Sequence, residues 1–521
     1  MSPDASARLV EGDVPFDLID LSVFAHSLAM IAEEMGSVLE RGALSPNIRE
    51  RRDASSAIFN HAGDMVAQAA HIPVHLGAMP ESVRAVMARN PRPGDLFLLN
   101  DPFHGGSHLP DLTMVRPIDN ASGIIGYAAV RAHHADVGGM SPGSMPQGAT
   151  EIFQEGLIVP PVRLAREGVL DEEILALVLA NVRTPHERRG DLAAQRAACE
   201  AGAAGWLALI AREGWMRVKS GCLSLLDYTE RRTHRCLGQY EGATGVGEDA
   251  LEGDGVTTDP VPVRVRATVR RSFLELDFTG TSPAVAGNVN CPAAVARAAA
   301  VFVVRTLLDD DVPTNDGIAR AIRLTLPAGS AIAAQSPSAV AAGNVEMSQR
   351  ITDTIFLALA DAGIEVPAQG QGTMNNVTLG APGWTFYETL GGGQGASAKG
   401  PGPSAVHVGM SNTRNTPIES LERAYPLEVA TYAVRRGSGG AGQHRGGDGV
   451  VRAYRALGPC TATVLAERRT RAPRGAAGGG DGGRGRTLLG ERELPAKVRV
   501  PMAAGDVLRI ETPGGGGWGA P

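Results

Sequence analysis

Between Pro93 and Pro161 the chain reads PGDLFLLNDPFHGGSHLPDLTMVRPI, then GYAAVRAHHADVGGMSPGSMP, then ATEIFQEGLIVPP. Short apolar runs alternate here with Gly- and Pro-rich turns, a pattern that makes short strands start and stop close to one another. His104, His108, His133 and His134 fall at those ends, with Asp101, Asp111, Asp136 and Glu155 among them. Imidazoles and carboxylates delivered from strand ends are the donor set of a divalent metal site. His108 and Asp111 share one turn, and a strand over Ala129–His133 would arrive alongside. Successive strand side chains point to opposite faces, so only one of His133 and His134 joins that turn easily. The other is left for a supporting or acid–base role. The competing reading is a crowded polar turn whose residues satisfy one another, because no spacing here is diagnostic in the way HExxH is.

The same alternation constrains the wider chain. Its 66 glycines sit among 43% hydrophobic residues, which argues for many tight turns rather than disorder. PRGAAGGGDGGRG at 473–485 is the exception and reads as a mobile loop. The length of 521 residues predicts two to four domains. A helix is predicted over Pro15–Arg41, capped by Asp13, with Leu18, Leu21, Phe24, Leu28, Ile31, Met35 and Leu39 at helical spacing. Two strands flank a turn at His61–Asp64, and Ser82–Ala88 reads as a short helix. Strands follow at Leu96–Leu99, Leu112–Val115 and Ile124–Ala132, then a helical segment over 171–237.

The polar, Gly-rich stretch 241–259 reads as a linker between an N-terminal metal-site domain (1–240) and a C-terminal α+β domain (260–521). The latter opens on strands in PVRVRATVRRSFLELDFTG, with helices at Ala293–Leu308 and Val345–Ala362 around a strand near Ile322–Leu326. It becomes largely β from Trp384 onward. Helices and strands come in blocks, so the expected class is α+β, a multi-layer mixed subunit with Gly-rich turns.

Charge and motifs exclude several functions. There are 49 Lys+Arg against 56 Asp+Glu, net −7, and no basic run is interleaved with aromatics, so nucleic acid is not an expected partner. The five cysteines lack a CxxC pair, which argues against a zinc knuckle or a disulfide framework. No apolar run reaches the roughly 18 residues of a membrane span, and the polar start is unlike a secretory signal, so a cytoplasmic protein is expected. DFTGTS at 277–282 looks like the DxGxT phosphate loop of actin-like ATPases but lacks its partner motifs, and no GxxxxGK[ST] is present. SGGAGQHRGGDG (438–449) and TPGGGGWG (512–519) suit phosphate cradles, structural turns or partner surfaces. On chemistry alone ERRD at 50–53 reads as a solvated charge run at a strand start. The Asn and Gln of GTMNNV, NTRNTPIE and GNVEMSQR read as turn and hydrogen-bonding residues, and His26, His186 and His234 as structural.

Taken in order, ERRDASSAIFNHAGDMVAQAAHIPVHLGAMPESV, NDPFHGGSHLPD, RAHHADVGGMSPGSMP, EIFQEGLIVPP, GNVNCPAAV, VPTNDG, NTPIE and SGGAGQHRGGDGVVR resemble the hydantoinase B family. That family also supplies the second part of 5-oxoprolinase, and its larger relatives are the alpha-type subunits of acetone and acetophenone carboxylases. The resemblance runs from about Phe16 to TPGGGG. It implies the B-type subunit of an ATP-dependent cyclic amidohydrolase acting on hydantoin, 5-oxoproline or a related lactam. It further implies a hetero-oligomer, in which a hydantoinase A-type partner binds ATP and phosphorylates the substrate oxygen. A divalent metal, zinc or manganese, is implied on His108, Asp111 and His133, with Asp53 as a further ligand, which reverses the solvated reading of Asp53. His134, Asp136 or His104 would then move protons, or Asp136 would orient His133. Two alternatives stay open: an alpha-type subunit of an ATP-dependent ketone carboxylase, and a non-catalytic scaffold.

Overall fold

The computed structural model describes residues 16–521 apart from His71, Leu76 and Ser122. Helix α1 (Leu18–Gly42) starts at Asp17, whose carboxylate accepts the Asp20 N–H. The cap expected at Asp13 lies outside the described residues. Leu21, Phe24, Leu28, Ile31, Met35 and Leu39 form the buried stripe their spacing demands, while Leu18 is exposed.

After α2 (Pro46–Arg49) come β1 (Ala54–Asn60), β2 (Met65–Ala70), α3 (Met79–Met87), β3 (Leu96–Leu99), β4 (Asp111–Asn120), β5 (Gly123–His133), β6 (Val162–Arg166) and β7 (Val169–Leu170). These strands make one antiparallel sheet in the order β2-β1-β5-β4-β3-β6-β7. Helices α4 (Glu172–Ala180), α5 (Pro185–Glu213) and α6 (Trp215–Gly238) follow. Alternation along the strands gives the sheet two apolar faces. Ile58, Leu98, Leu112, Met114, Ala128 and Val130 pack toward α1, α5 and α6. Phe59, Phe97, Leu99, Val115 and Ala129 pack on Met79, Val83 and Val86 of α3.

A second sheet has the order β11-β10-β9-β8, from β8 (Thr244–Leu251), β9 (Val261–Arg270), β10 (Phe273–Asp277) and β11 (Ile322–Thr325). Helices α7 (Ala293–Leu307), α8 (Gly317–Arg320) and α9 (Ser348–Asp361) belong to the same layer. Thr244–Leu251 falls in the stretch read as a linker, yet it pairs with β9 along its whole length. Its glycines mark contact with a helix: a Cβ on Gly247 would meet the Thr354 carbonyl oxygen of α9 at 2.0 Å.

The remaining elements are β12 (Asn376–Ala381), β13 (Trp384–Glu388), α10 (Ile418–Ala424), β14 (Leu427–Arg435), β15 (Gly449–Ala456), β16 (Cys460–Leu465), β17 (Arg486–Leu489), β18 (Arg492–Leu494), β19 (Lys497–Met502) and β20 (Val507–Glu511). They form two antiparallel sheets, β13-β12-β16-β19 and β14-β15-β20-β17-β18, which share one core through Leu379, Phe386, Val464, Tyr454 and Ile510. The α+β class and the strand-rich C-terminal region therefore hold. A buried ion network ties these layers together. Asp249 of β8 receives Arg350 of α9 at 2.8 Å and Arg468 at 2.9 Å, Arg468 also holds Asp353 at 2.5 Å, and Lys497 of β19 holds Glu467.

The Gly-rich segments hydrogen-bond to one another in extended form. Gly440 N–H donates to Gly515, Gly515 to Gly447, Gly447 to Gln394, Gly480 to Ala441 and Gly517 to Gly480, all at 2.7–2.9 Å. Residues 473–485, read as a mobile loop, are thus bonded on both sides. Composition misled there because glycine serves close backbone approach as well as flexibility.

Candidate metal centre

Strand register brings the central residues together. Asp111 opens β4, His133 closes β5, and the two are direct cross-strand partners. Ala54 of β1 pairs with Ala132, which sets Asp53 beside His133, and the His133 N–H donates to the Asp53 carbonyl at 3.0 Å. His108 sits in the turn before β4, with its Nε2 3.1 Å from Asp111 Oδ1. His133 Nδ1 is 3.4 Å from the same oxygen. Ligand atoms of His108, Asp111 and His133 all lie within 4.8 Å of one another, and all three residues are buried.

Each side chain is aimed by its neighbours. Because a carbonyl only accepts, the 3.1 Å contact from His108 Nδ1 to Ala341 O puts the ring proton on Nδ1 and leaves Nε2 facing Asp111. Asp111 Oδ2 accepts Ser107 Oγ–H at 2.7 Å and Asn344 Nδ2–H at 3.1 Å, and lies 3.4 Å from His75 Nε2. Oδ1 is left over. His108 Nε2, Asp111 Oδ1 and His133 Nε2 are buried without a hydrogen-bond partner among the described residues. Buried orphan acceptors are costly, and two imidazoles with one carboxylate are a donor set that a divalent cation satisfies.

Residues 340–344, from the other half of the chain, complete the cradle. Both oxygens of buried Glu155 accept N–H groups of Val340 and Ala341 at 2.9–3.1 Å. Burial pushes the Glu155 carboxyl up to about 8, against the pull of those two N–H groups. Asn344 lies in a π-helical turn (Gly343–Met347) ahead of α9, a geometry frequent at functional sites. Only glycine fits at 343, where a Cβ would meet the Asn290 carbonyl oxygen at 1.8 Å. Tyr387 stacks on His133 with ring centroids 4.4 Å apart, and its hydroxyl donates to Asn376 Oδ1 at 2.8 Å.

Electrostatics follow from this packing. Burial pulls the His108 imidazole down, but the Asp111 carboxylate, the Ala341 carbonyl and Asp53 outweigh it, so its pKa is raised. Burial lowers His133, with Asp111 and Asp53 opposing. Burial would raise Asp111, yet His108 and His75 hold it well below the usual carboxylate range.

The other sequence candidates lie apart from these three residues in different ways. Asp53 is buried, 3.7 Å from Arg51, and outside the group whose ligand atoms converge. ERRD is not a solvated run: Arg51 is fully buried, contacts Asn47, and donates to Tyr387 O at 3.2 Å and Thr389 Oγ1 at 2.6 Å. His134 points to the opposite face, as strand geometry requires, and donates from Nε2 to Gln195 Oε1 of α5 at 2.9 Å. Asp136 is held by Arg183 at 2.8 Å and accepts the Gly138 and Gly143 N–H groups, so it shapes the 138–144 turn. His104 is largely exposed and pairs with Asp101 at 2.6 Å. Sequence reasoning missed His75, Asn344 and Tyr387. No spacing flags them, although HIPVH lies inside a string that carries the resemblance. DFTGTS is an ordinary turn in which Asp277 accepts the Thr279 N–H and hydroxyl at 3.0 and 2.6 Å.

The hydantoinase B/oxoprolinase sequence family matches residues 17–521, and the chain belongs to that family. An uncharacterized protein of Methanocaldococcus jannaschii is 38% identical over an alignment of 522 positions that covers 97% of this chain and 91% of that protein. The 5-oxoprolinase 1 of Arabidopsis thaliana is 37% identical over an alignment of 546 positions that covers 99% of this chain but 43% of that protein. The chain thus spans less than half the length of the 5-oxoprolinases it matches. The crystal structure of ATP-dependent caprolactamase from Pseudomonas jessenii superposes with a TM-score of 0.90 at 26% identity, covering 97% of this chain and 92% of that one. A nucleotide-free acetone carboxylase structure shares the fold with a TM-score of 0.84 at 17% identity, covering 95% of this chain and 75% of that one. Among the described residues no helix is long and apolar enough to cross a membrane.

Proposed function

We propose that this chain is the B-type subunit of an ATP-dependent cyclic amide hydrolase, acting on hydantoin, 5-oxoproline or another lactam. An A-type partner is assigned the ATP site and the phosphorylation of the substrate oxygen, in a cytoplasmic hetero-oligomer. The observation that carries this reading is the convergence of His108, Asp111 and His133 on one point, with His108 Nε2 and Asp111 Oδ1 facing each other unpartnered. The likeness to a caprolactamase over nearly the whole of both chains supports the substrate class.

Lactam carbonyls are poor electrophiles because nitrogen donates into them, and phosphorylation of the oxygen creates a leaving group. His108, Asp111 and His133 would hold a divalent metal, zinc or manganese, which when bound would supply a water with a pKa of about 7 and Lewis-acid polarisation of the bond under attack. The chain's own residues prepare that place. Ala341 fixes the His108 tautomer, while Ser107 and Asn344 occupy Asp111 Oδ2 and so direct Oδ1 inward. Tyr387 covers one face of His133 and keeps bulk water from it. Proton transfer through His134 or Asp136 is not supported, since Gln195 and Arg183 already engage them.

The test is ATP turnover by the chain co-purified with its A-type partner. Stimulation by one cyclic amide is the expected result. Turnover that requires acetone and bicarbonate would move the protein to the carboxylase reading, and a partner equally active without this chain would leave only a scaffold.

A further inference from the structure

Away from the metal centre, a cavity of about 340 Å³ is lined by Arg435, Arg469, Arg484, Gly485, Arg486 and Glu493. The arginines come from four separate places: β14, the segment after β16, the Gly-rich 473–485 segment and β17. Three of them are oriented mainly by neutral groups. Arg435 donates to the carbonyls of Arg484 and Thr512 at 2.7 and 3.1 Å. Arg484 donates to the Thr470 carbonyl at 3.3 Å, and Arg469 to the Glu467 carbonyl at 2.8 Å and Asn375 Oδ1 at 2.9 Å. A carbonyl aims a guanidinium without cancelling its charge. Arg486 alone pairs closely with a lining carboxylate, Glu493 at 3.0 Å. Glu511 reaches Arg435 at 3.5 Å but is shared with Arg509 at 2.9 Å. Positive charge is therefore in excess.

Burial pushes Arg469 down to about 10, with Arg435 adding to the fall and nearby glutamates opposing it. Burial also lowers Arg435, as does Arg486, despite Glu511. Guanidiniums approaching from several directions suit a tetrahedral oxyanion better than a planar carboxylate. The cavity is also connected to the metal centre. Arg469 holds Asn375, and the next residue, Asn376, accepts the hydroxyl of Tyr387, whose ring stacks on His133.

We propose that this arginine cavity is a phosphate-binding site, taking a phosphate group either free or carried on a small organic molecule. The inference is independent of the reaction proposed above, because it concerns binding to residues that the metal centre does not use. It is tested by calorimetric titration of the full chain, stripped of metal with EDTA, with inorganic phosphate and with phenyl phosphate at low ionic strength. Saturable binding is expected, weakened at least tenfold in an R484A/R486A double variant, whose side chains are exposed enough to leave the melting temperature unchanged. Phenyl phosphate binding at least tenfold tighter than phosphate assigns the site to an organic phosphate, and any smaller preference assigns it to free phosphate. Absence of binding, binding that returns only when metal is restored, or equal affinity in the double variant overturns the proposal.

Discussion

Asn344 Nδ2 donates to Asp111 Oδ2 at 3.1 Å, joining two residues 233 positions apart in the chain. The candidate metal centre is therefore built by both halves. An Asn344→Ala variant leaves Asp111 Oδ2 one donor short, with Ser107 still donating to it. Metal affinity should fall roughly 10–100-fold, the usual effect of removing a group that orients a ligand. Competition with a coloured chelator measures this, and unchanged affinity would show that Asn344 does not position Asp111.

Arg350→Met tests the ion network between the layers. Asp249 would keep Arg468 but lose its 2.8 Å partner, with both groups fully buried. Breaking one member of a buried ion cluster costs about 3–5 kcal/mol. Urea unfolding of the variant should shift by that order, and a shift under about 1 kcal/mol would mean that water already screens the network.

Buried neutral histidines predict acid sensitivity. Burial and Arg188 lower His134 from 6.5 to about 4, and burial and Arg51 lower His407 to about 3. Below pH 6.5 the unfolded chain takes up protons that the folded chain refuses. Stability is thus fully present above pH 6.5 and declines as pH falls toward 4, on the order of 3 kcal/mol for His134 alone. Urea midpoints at pH 7.5 and pH 5 should show the fall, and it should be smaller in a His134→Gln variant. Equal slopes in both proteins would remove His134 from the account.

The convergence of the candidate centre was partly legible because its residues are local. His108, Asp111 and His133 lie in one stretch, and strand alternation alone says that His133 and His134 part company. Three features were not legible for a physical reason. Asn344 and Tyr387 reach the centre through long-range packing, and His75 occupies a short turn with no periodic signature. The strand at 244–251 was hidden because TGVGEDAL carries glycines that serve helix contact, which mimic a linker in composition. The Gly-rich segment 473–485 was misread for the same reason, since close backbone approach and flexibility use the same residue.

Those segments give a sharp steric prediction. A Cβ on Gly515 would meet the Gln394 carbonyl oxygen at 2.1 Å, a backbone atom that cannot move aside cheaply. Gly515→Ala should destabilise the chain by at least about 1–3 kcal/mol, the range for overpacking, or prevent soluble expression. At Gly458, with open space around its Cβ position, the same change should be nearly silent. Similar melting temperatures for the two variants would contradict the close-packed layer.

The most direct test is elemental analysis of metal on the purified chain and on H108A, D111N and H133A variants, each checked for folding by circular dichroism. Close to one zinc or manganese per chain is expected in the unaltered protein, with each variant folded and holding under about a tenth of that. Full metal content in the folded variants, or none in the unaltered protein after supplementation, would contradict a metal centre on His108, Asp111 and His133.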